Sequence, residues 1–411
     1  MRGGLRAAMM RCGALGCLLL LPLCARVSNA QVLPEQPVSL ANGRLVFGGE
    51  VTATIAPEDP GFFNYTSYAF NALRNVRFGV SAEIKASERL QLLGEVRLDQ
   101  GRVLNTYGLY LRVRPWPARR FDIQAGRIPP TFGAMTRTAY GSGNILIGQP
   151  LAYQYLASIR PDAVPATTDD LLRMRGRGWL STFPVGNTTP APGVPMVNTS
   201  EWDTGVQAHV VTGLFDWTAA VTAGTLSDPQ FHDNNTGKQI AGRVVARPTA
   251  AVVLGLSLSQ GAWIDRSLED AIAGQASYDR SDQTAIGGDA EFSTGAWLVR
   301  GEVIRSTWQM PAQPTLHLQG PLAAVSSLIE GRYKIAPGFY VAVRGDRLGY
   351  STITGERGEN TWDAVIWRTE GGVGYSLTRN IVFKGSVQHN RRDGGRVRRD
   401  SLVAAQVMYW F

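Results

Sequence analysis

Six arginines fall in one stretch of the chain between Gly126 and Asp203: Arg127, Arg137, Arg160, Arg173, Arg175 and Arg177. They stand against Asp162, Asp169 and Asp170, with Glu201 at the far end. A guanidinium keeps its charge at any ordinary pH and offers a rigid fork of donors to an anion. The excess therefore points to anion attraction, not to proton transfer. Arg173, Arg175 and Arg177 share one parity, so an extended backbone would line them up. In a narrow, low-dielectric passage such a row raises the local anion concentration. Pairing with carboxylates such as Glu95 and Glu330 is an equally open account of the same residues.

Residues for catalysis are sparse. The four histidines, His209, His232, His317 and His389, are scattered, with no metal-ligand spacing. No nucleophile elbow or phosphate-cradling glycine loop is present. Asp233, Asn234 and Asn235 give only a faint calcium pattern. Neither an enzyme, a metal nor a cofactor is expected.

The arginine-bearing stretch must be positioned by what flanks it. It opens Gly126-Arg127-Ile128-Pro129-Pro130-Thr131-Phe132-Gly133, where two prolines remove backbone donors and stop a sheet ladder. It then runs for about seventy residues without period-2 alternation, against about four to six in an ordinary loop. On both sides the chain alternates strictly. Val76, Phe78, Val80, Ala82 and Ile84 face one way and Arg77, Gly79, Ser81, Glu83 and Lys85 the other. About sixteen such segments occur, joined by links that are alternately short and long, as periplasmic turns and outer loops would be. The reading is all-β: a transmembrane antiparallel β-barrel over 45–411, with the long third outer loop, 129–202, folded into the lumen. A soluble sandwich or propeller would have to bury too many charges on its polar face.

Parity then sorts the remaining candidates. Pore-wall positions are Arg77, Arg97, Arg112, Arg114, Arg243, Arg300, Arg332, Arg344 and Arg368, with Lys85, Lys334 and Lys384. Nearly as many carboxylates share that face, among them Glu50, Glu95, Asp99, Asp289, Glu302, Glu330 and Glu370. Arg127 is the exception, because its parity points to lipid; the strand is expected to end or bulge near Gly126. Phe121, Trp217, Trp297, Phe339, Tyr375, Tyr409 and Phe411 gather near the short-turn ends on the apolar parity, as a lipid-facing aromatic girdle.

Residues 1–30 read as a secretory signal, with Arg2, Arg6 and Arg11 before an apolar run and Ser28-Asn29-Ala30 as cleavage site. All three cysteines lie within it, so disulfides and thiolate metal sites are excluded downstream. Removing it leaves 37 basic and 33 acidic residues, a net charge of +4. Charges of both signs are interspersed, so nucleic acid is not an expected partner. Residues 31–44 form a short periplasmic lead. Past the signal no apolar run reaches the roughly twenty residues of a membrane helix, which says nothing against strands.

Strands two to five resemble the phosphate-selective porin family of bacterial outer-membrane proteins. The matching parts are Arg74-Asn75-Val76-Arg77-Phe78-Gly79, Glu95-Val96-Arg97-Leu98-Asp99, Tyr107-Gly108-Leu109-Tyr110 and the glycine-proline motif; Phe411 adds a terminal aromatic. The resemblance implies a sixteen-stranded barrel, usually a homotrimer, with the third loop in the pore. Phosphate selection there relies on a dense lysine and arginine ladder; this chain has four lysines, none in the long segment. The expected function is passive diffusion of small hydrophilic, chiefly anionic, solutes through a bacterial outer membrane. Expected partners are the bilayer, lipopolysaccharide and the barrel assembly machinery. The alternative is a non-conducting scaffold or surface receptor with the loop as plug.

Overall fold

The structure is a computed structural model that describes residues 33–66, 70–99, 103–138, 141–235, 237–272, 281–311 and 315–411. The 1–30 leader with its cysteines lies outside them. Every alternating segment forms a strand: β1 Leu45–Ile55, β2 Val76–Lys85, β3 Leu90–Asp99, β4 Val103–Val113, β5 Phe121–Ile128, β6 Asp203–Thr212, β7 Phe215–Thr222 and β8 Gln239–Thr249. The second half follows with β9 Val252–Ala262, β10 Asp282–Thr294, β11 Trp297–Trp308, β12 Leu322–Ala336, β13 Phe339–Tyr350, β14 Ile366–Ser376, β15 Ile381–Arg392 and β16 Arg399–Trp410.

Each strand pairs antiparallel with its neighbours in sequence, and β16 closes on β1 from Glu50 opposite Trp410 to Ile55 opposite Ala405. The result is a closed sixteen-stranded barrel. Closure satisfies every ladder without leaving an edge, which a lipid environment demands. β5 and β6 pair directly, from Phe121 opposite Val210 to Ile128 opposite Asp203. The long segment therefore leaves and re-enters the wall at one seam. The short lead contributes a small extra strand, Val38–Leu40, which pairs with β1 below the closure.

Burial is inverted relative to a soluble sheet. Val325, Ile329, Val343, Val387 and Val403 are exposed, while their polar neighbours Ser326, Glu330, Arg344, Gln388 and Lys384 are buried. An exposed apolar band of this extent has to face lipid. Aromatic rings collect at its short-turn end. Trp297 lies 4.6 Å from Tyr333 and Phe215 5.9 Å from Trp217, centroid to centroid. Trp217, Trp297 and Tyr375 are exposed, and Phe121, Phe339, Tyr409 and Phe411 are half-buried. The Phe411 main chain exchanges two hydrogen bonds with Gly49, at 3.0 and 3.1 Å.

The hydrophobic core sits inside the barrel. Apolar residues of the long segment, among them Phe132, Leu151, Tyr153, Leu171, Met174 and Phe183, pack with Trp263, Trp308 and Trp362 near the outer ends of the strands.

Candidate functional site

The long segment folds as a strap held by the wall. Its only regular pieces among the described residues are short: the helices Leu151–Gln154 and Thr168–Met174, two turns of 3₁₀ helix, and a two-residue pairing of Ala163–Val164 with Val185–Gly186. Thr168–Met174 starts at a capping box, in which the Thr167 hydroxyl accepts from the Asp170 N–H and the Asp170 carboxylate accepts from the Thr167 N–H.

Wall cations hold the strap by its carbonyl oxygens. Arg344 donates to the Gly148 carbonyl at 2.6 Å and Lys384 to the Asn144 carbonyl at 2.6 Å. Arg368 donates to the Gln149 carbonyl at 2.9 Å and also to the Phe63 carbonyl of the β1–β2 loop at 2.7 Å, and Arg300 to the Gly143 carbonyl at 3.3 Å. Wall carboxylates take the strap's donors. Glu370 accepts from the Gly148 N–H at 2.9 Å; Glu302 accepts from the Ala134 N–H and the Tyr153 hydroxyl, each at 2.7 Å. Toward the outside, Asp363 accepts from the N–H groups of Ser158 at 2.7 Å and Gly176 at 2.6 Å. Burial pushes this outer-loop carboxyl above the usual range, and those donors act against the shift.

The strap leaves clear space on two sides. One cavity of about 270 Å³ lies between Pro130–Thr138 and the wall residues Arg243, Asp289 and Arg300. On the side of β1–β4 a cavity of about 360 Å³, lined by Glu50, Glu95 and Trp202, adjoins one of about 50 Å³ lined by Thr54, Arg77, Asp99 and Gln406. Arg97, Tyr107 and Gly141 line both, so they form the partition between the two.

Tyr107 reaches that partition through a defect in the ladder. Glu95 pairs with Gly108 and Val96 with Thr106, leaving Tyr107 as the extra residue of a β-bulge. Without the bulge its parity would be that of the lipid-facing Leu109; with it the ring is buried and its hydroxyl donates to the Thr199 carbonyl at the end of the strap. The Arg97 guanidinium carbon lies 3.4 Å from the Tyr107 ring centroid, and Glu95 holds its Nε at 2.6 Å.

The pore-wall positions fall on the inner face as parity requires, yet most are paired: Arg77 with Asp99 at 2.7 Å, Arg243 with Asp289 at 2.7 Å, Arg300 with Glu291 at 2.6 Å, Arg112 with Asp122 at 3.9 Å and Arg344 with Glu330 at 2.7 Å. Arg332 lies 5.7 Å from the Tyr340 ring, and Arg114 is half-buried at the short-turn end of β4.

The strap arginines differ from expectation. Residues 168–174 are helical, so Arg173, Arg175 and Arg177 form no extended row. Arg173 is exposed beside Asp170 at 2.8 Å, Arg175 bonds Thr361 and Asp393 in two outer loops, and Arg177 is exposed. Arg160 is buried and braces the strap itself, through Asp162 and the carbonyls of Ser181 and Thr189. Arg127 does not line the lumen. The strand continues past Gly126, whose φ is +126°, and Arg127 keeps register with Leu109 and Thr204, covered by Glu201, the Trp202 carbonyl and the Phe231 ring. The side chain of Arg137 lies outside what the structure describes.

No protein-family model matches the chain, and no curated protein matches it. Solved structures do. It is similar to the outer-membrane expressed OmpT of Vibrio cholerae, with a TM-score of 0.53, 11% identity and coverage of 91% of this chain and 100% of that one. It is similar to the anion-selective porin from Comamonas acidovorans, at 0.53 and 10%, covering 89% and 99%. Salmonella typhi OmpF, solved as a complex with daunomycin, gives 0.52 and 12%, covering 89% and 97%. The fold is that of bacterial outer-membrane porins. Its apolar outer band and aromatic girdle place the barrel in that membrane. The strap, the partition at Arg97, Tyr107 and Gly141, and the flanking cavities are thus features of a porin-type lumen.

Proposed function

We propose that the protein is a diffusion channel for small hydrophilic solutes, which cross the outer membrane along β1–β4 past Arg97, Tyr107 and Gly141. The observation that carries this reading is the pair of cavities meeting at those three residues on the side where the strap leaves the wall uncovered. The smaller cavity holds few water molecules, so only small solutes fit.

Small anions are the proposed preferred class. Arg77 and Arg97 offer guanidinium contacts along the passage, and exposed Arg173 and Arg177 add only a weak attraction at the outer side. Discrimination is modest, because Asp99, Glu95 and Glu50 line the same route. That mixed lining fits a general channel better than a phosphate-selective one. The reading includes removal of the 1–30 leader, insertion by the barrel assembly machinery, contact with lipopolysaccharide, and assembly as a homotrimer.

The second reading, a closed scaffold or receptor with the strap as plug, draws on the buried core that the strap forms with Trp263, Trp308 and Trp362. Planar-bilayer recording of the purified barrel separates the two. Discrete, small conductance steps are expected; a folded barrel that inserts and gives none belongs to the second reading.

A further inference from the structure

The outward face of β13–β16 changes character at its outer end. Arg347, Trp367, Arg391 and Arg399 stand in register across the four strands, and all four are exposed. The next rung toward the membrane centre carries Thr369, His389 and Ser401, with His389 Nδ1 2.7 Å from Ser401 Oγ. Below it the rungs turn apolar, through Val387 and Val403, down to the girdle at Tyr375 and Phe383.

Arg391 and Phe383 lie eight residues apart on β15. That is roughly 26 Å along a strand, or about 20 Å along the membrane normal at a tilt of about 40°. The row therefore sits at the outer boundary of the hydrocarbon, the level of the headgroup phosphates.

Three guanidiniums in so small an area need a reason. The Trp367 ring lies 5.9 Å from the guanidinium carbon of Arg347 and 5.9 Å from that of Arg391, which orders both without neutralising either. Inner-wall arginines mostly have carboxylates; among the described residues Arg347, Arg391 and Arg399 have none. Asp400, next to Arg399, has the opposite parity and pairs with the inward Asn390.

We propose that this row binds the phosphate groups of a phosphorylated glycolipid of the outer leaflet, lipopolysaccharide. Planar forks on β13, β15 and β16, with Trp367 of β14 between the first two, suit multidentate phosphate contacts, and the apolar rungs beneath accept acyl chains. The site lies outside the lumen, so it stands whether or not the barrel conducts. It gives a location to the lipopolysaccharide contact included in the channel reading.

The test is binding of lipopolysaccharide to the full barrel in detergent micelles, followed by thermal unfolding and native mass spectrometry. Wild type is compared with Arg347→Gln/Arg391→Gln/Arg399→Gln and with Arg396→Gln/Arg398→Gln, two exposed loop arginines nearby. Heat-modifiable gel mobility certifies folding; Arg391→Gln alone serves if the triple variant does not fold. Wild type and the loop variant are expected to bind, the triple variant roughly tenfold or more weakly and the single variant measurably weaker. Dephosphorylated glycolipid should bind wild type as poorly as native glycolipid binds the triple variant. Equal binding by the row variants, binding independent of phosphate, or equal affinity for phosphatidylglycerol vesicles would each overturn the proposal.

Discussion

Arg344 and Glu330 meet at 2.7 Å inside the barrel, both almost wholly buried, and the same guanidinium holds the Gly148 carbonyl and Asn144 Oδ1 of the strap. The pair is thus a strut of the wall and a mooring of the strap at once. Glu330→Gln leaves Arg344 with Glu370 at 3.8 Å as its nearest remaining carboxylate. Breaking a buried pair on one side typically costs about 3–5 kcal/mol. Denaturant unfolding in micelles should show a loss of that order. The double change Glu330→Leu/Arg344→Met should recover much of the stability while freeing the strap, seen as increased open-channel noise.

Ion preference should respond at the partition and barely at the outer loops. Arg97→Glu takes the lining of the β1–β4 passage from two cations and three anions to one and four. Reversal potentials under a salt gradient should move toward cations, by roughly threefold or more in permeability ratio. The triple change of Arg173, Arg175 and Arg177 to Glu should move it far less, because these residues lie on a helix and at the outer loops.

Gly126 tests the seam where the strap leaves the wall. Its φ is +126°, and a Cβ there would stand 2.4 Å from the Leu109 carbonyl oxygen. Gly126→Ala should destabilise the barrel by about 2–4 kcal/mol, with lost protection of the amides of β4 and β5 in hydrogen exchange.

In the loop between β7 and β8, burial and then Asp265 push the Asp228 carboxyl up to about 7. Unfolded, an aspartate titrates near 4 (about 3.9). The folded loop therefore binds this proton more tightly, and its stability declines as pH rises from about 4 to about 7, then levels off. Amides of 223–235 should exchange faster at pH 8 than at pH 5, beyond the intrinsic rate. Asp228→Asn should flatten most of that slope, leaving the part due to Asp265, which burial raises to about 6 beside Asn234 of the same loop.

The wall was legible in the sequence because its signal is local: a period of two and a polar inner parity, with Pro248 confined to the irregular end of β8. β2 covers the alternation from Val76 to Lys85 in both bounds, and the inner-face arginines follow. The lumen was not legible in the same way. Parity assumes an extended, unbroken strand, and it failed where that assumption failed, at the helix carrying Arg173 and at the bulge carrying Tyr107. The bulge left a trace, since lipid-facing Leu104 and Leu109 are an odd number of residues apart. The small hairpin of Thr352–Gly355 with Gly358–Thr361 left none, being too short for periodicity. The pairing that consumes most wall charge depends on which strands become neighbours, information that no single strand carries.

The wall grips the strap around Gly143–Gln149 chiefly through main-chain atoms: Arg300, Arg344, Arg368 and Lys384 take carbonyls, and Glu370 takes an N–H. A main-chain carbonyl is common to all twenty residue types, and the N–H to all but proline. Gly148 is fixed, since a Cβ there would stand 2.3 Å from Glu370 Oε2. Substitutions at the other positions of this stretch retune the aperture without unfastening it, so lineages carrying this barrel would be free to diversify what passes while the wall residues that do the gripping stay constrained.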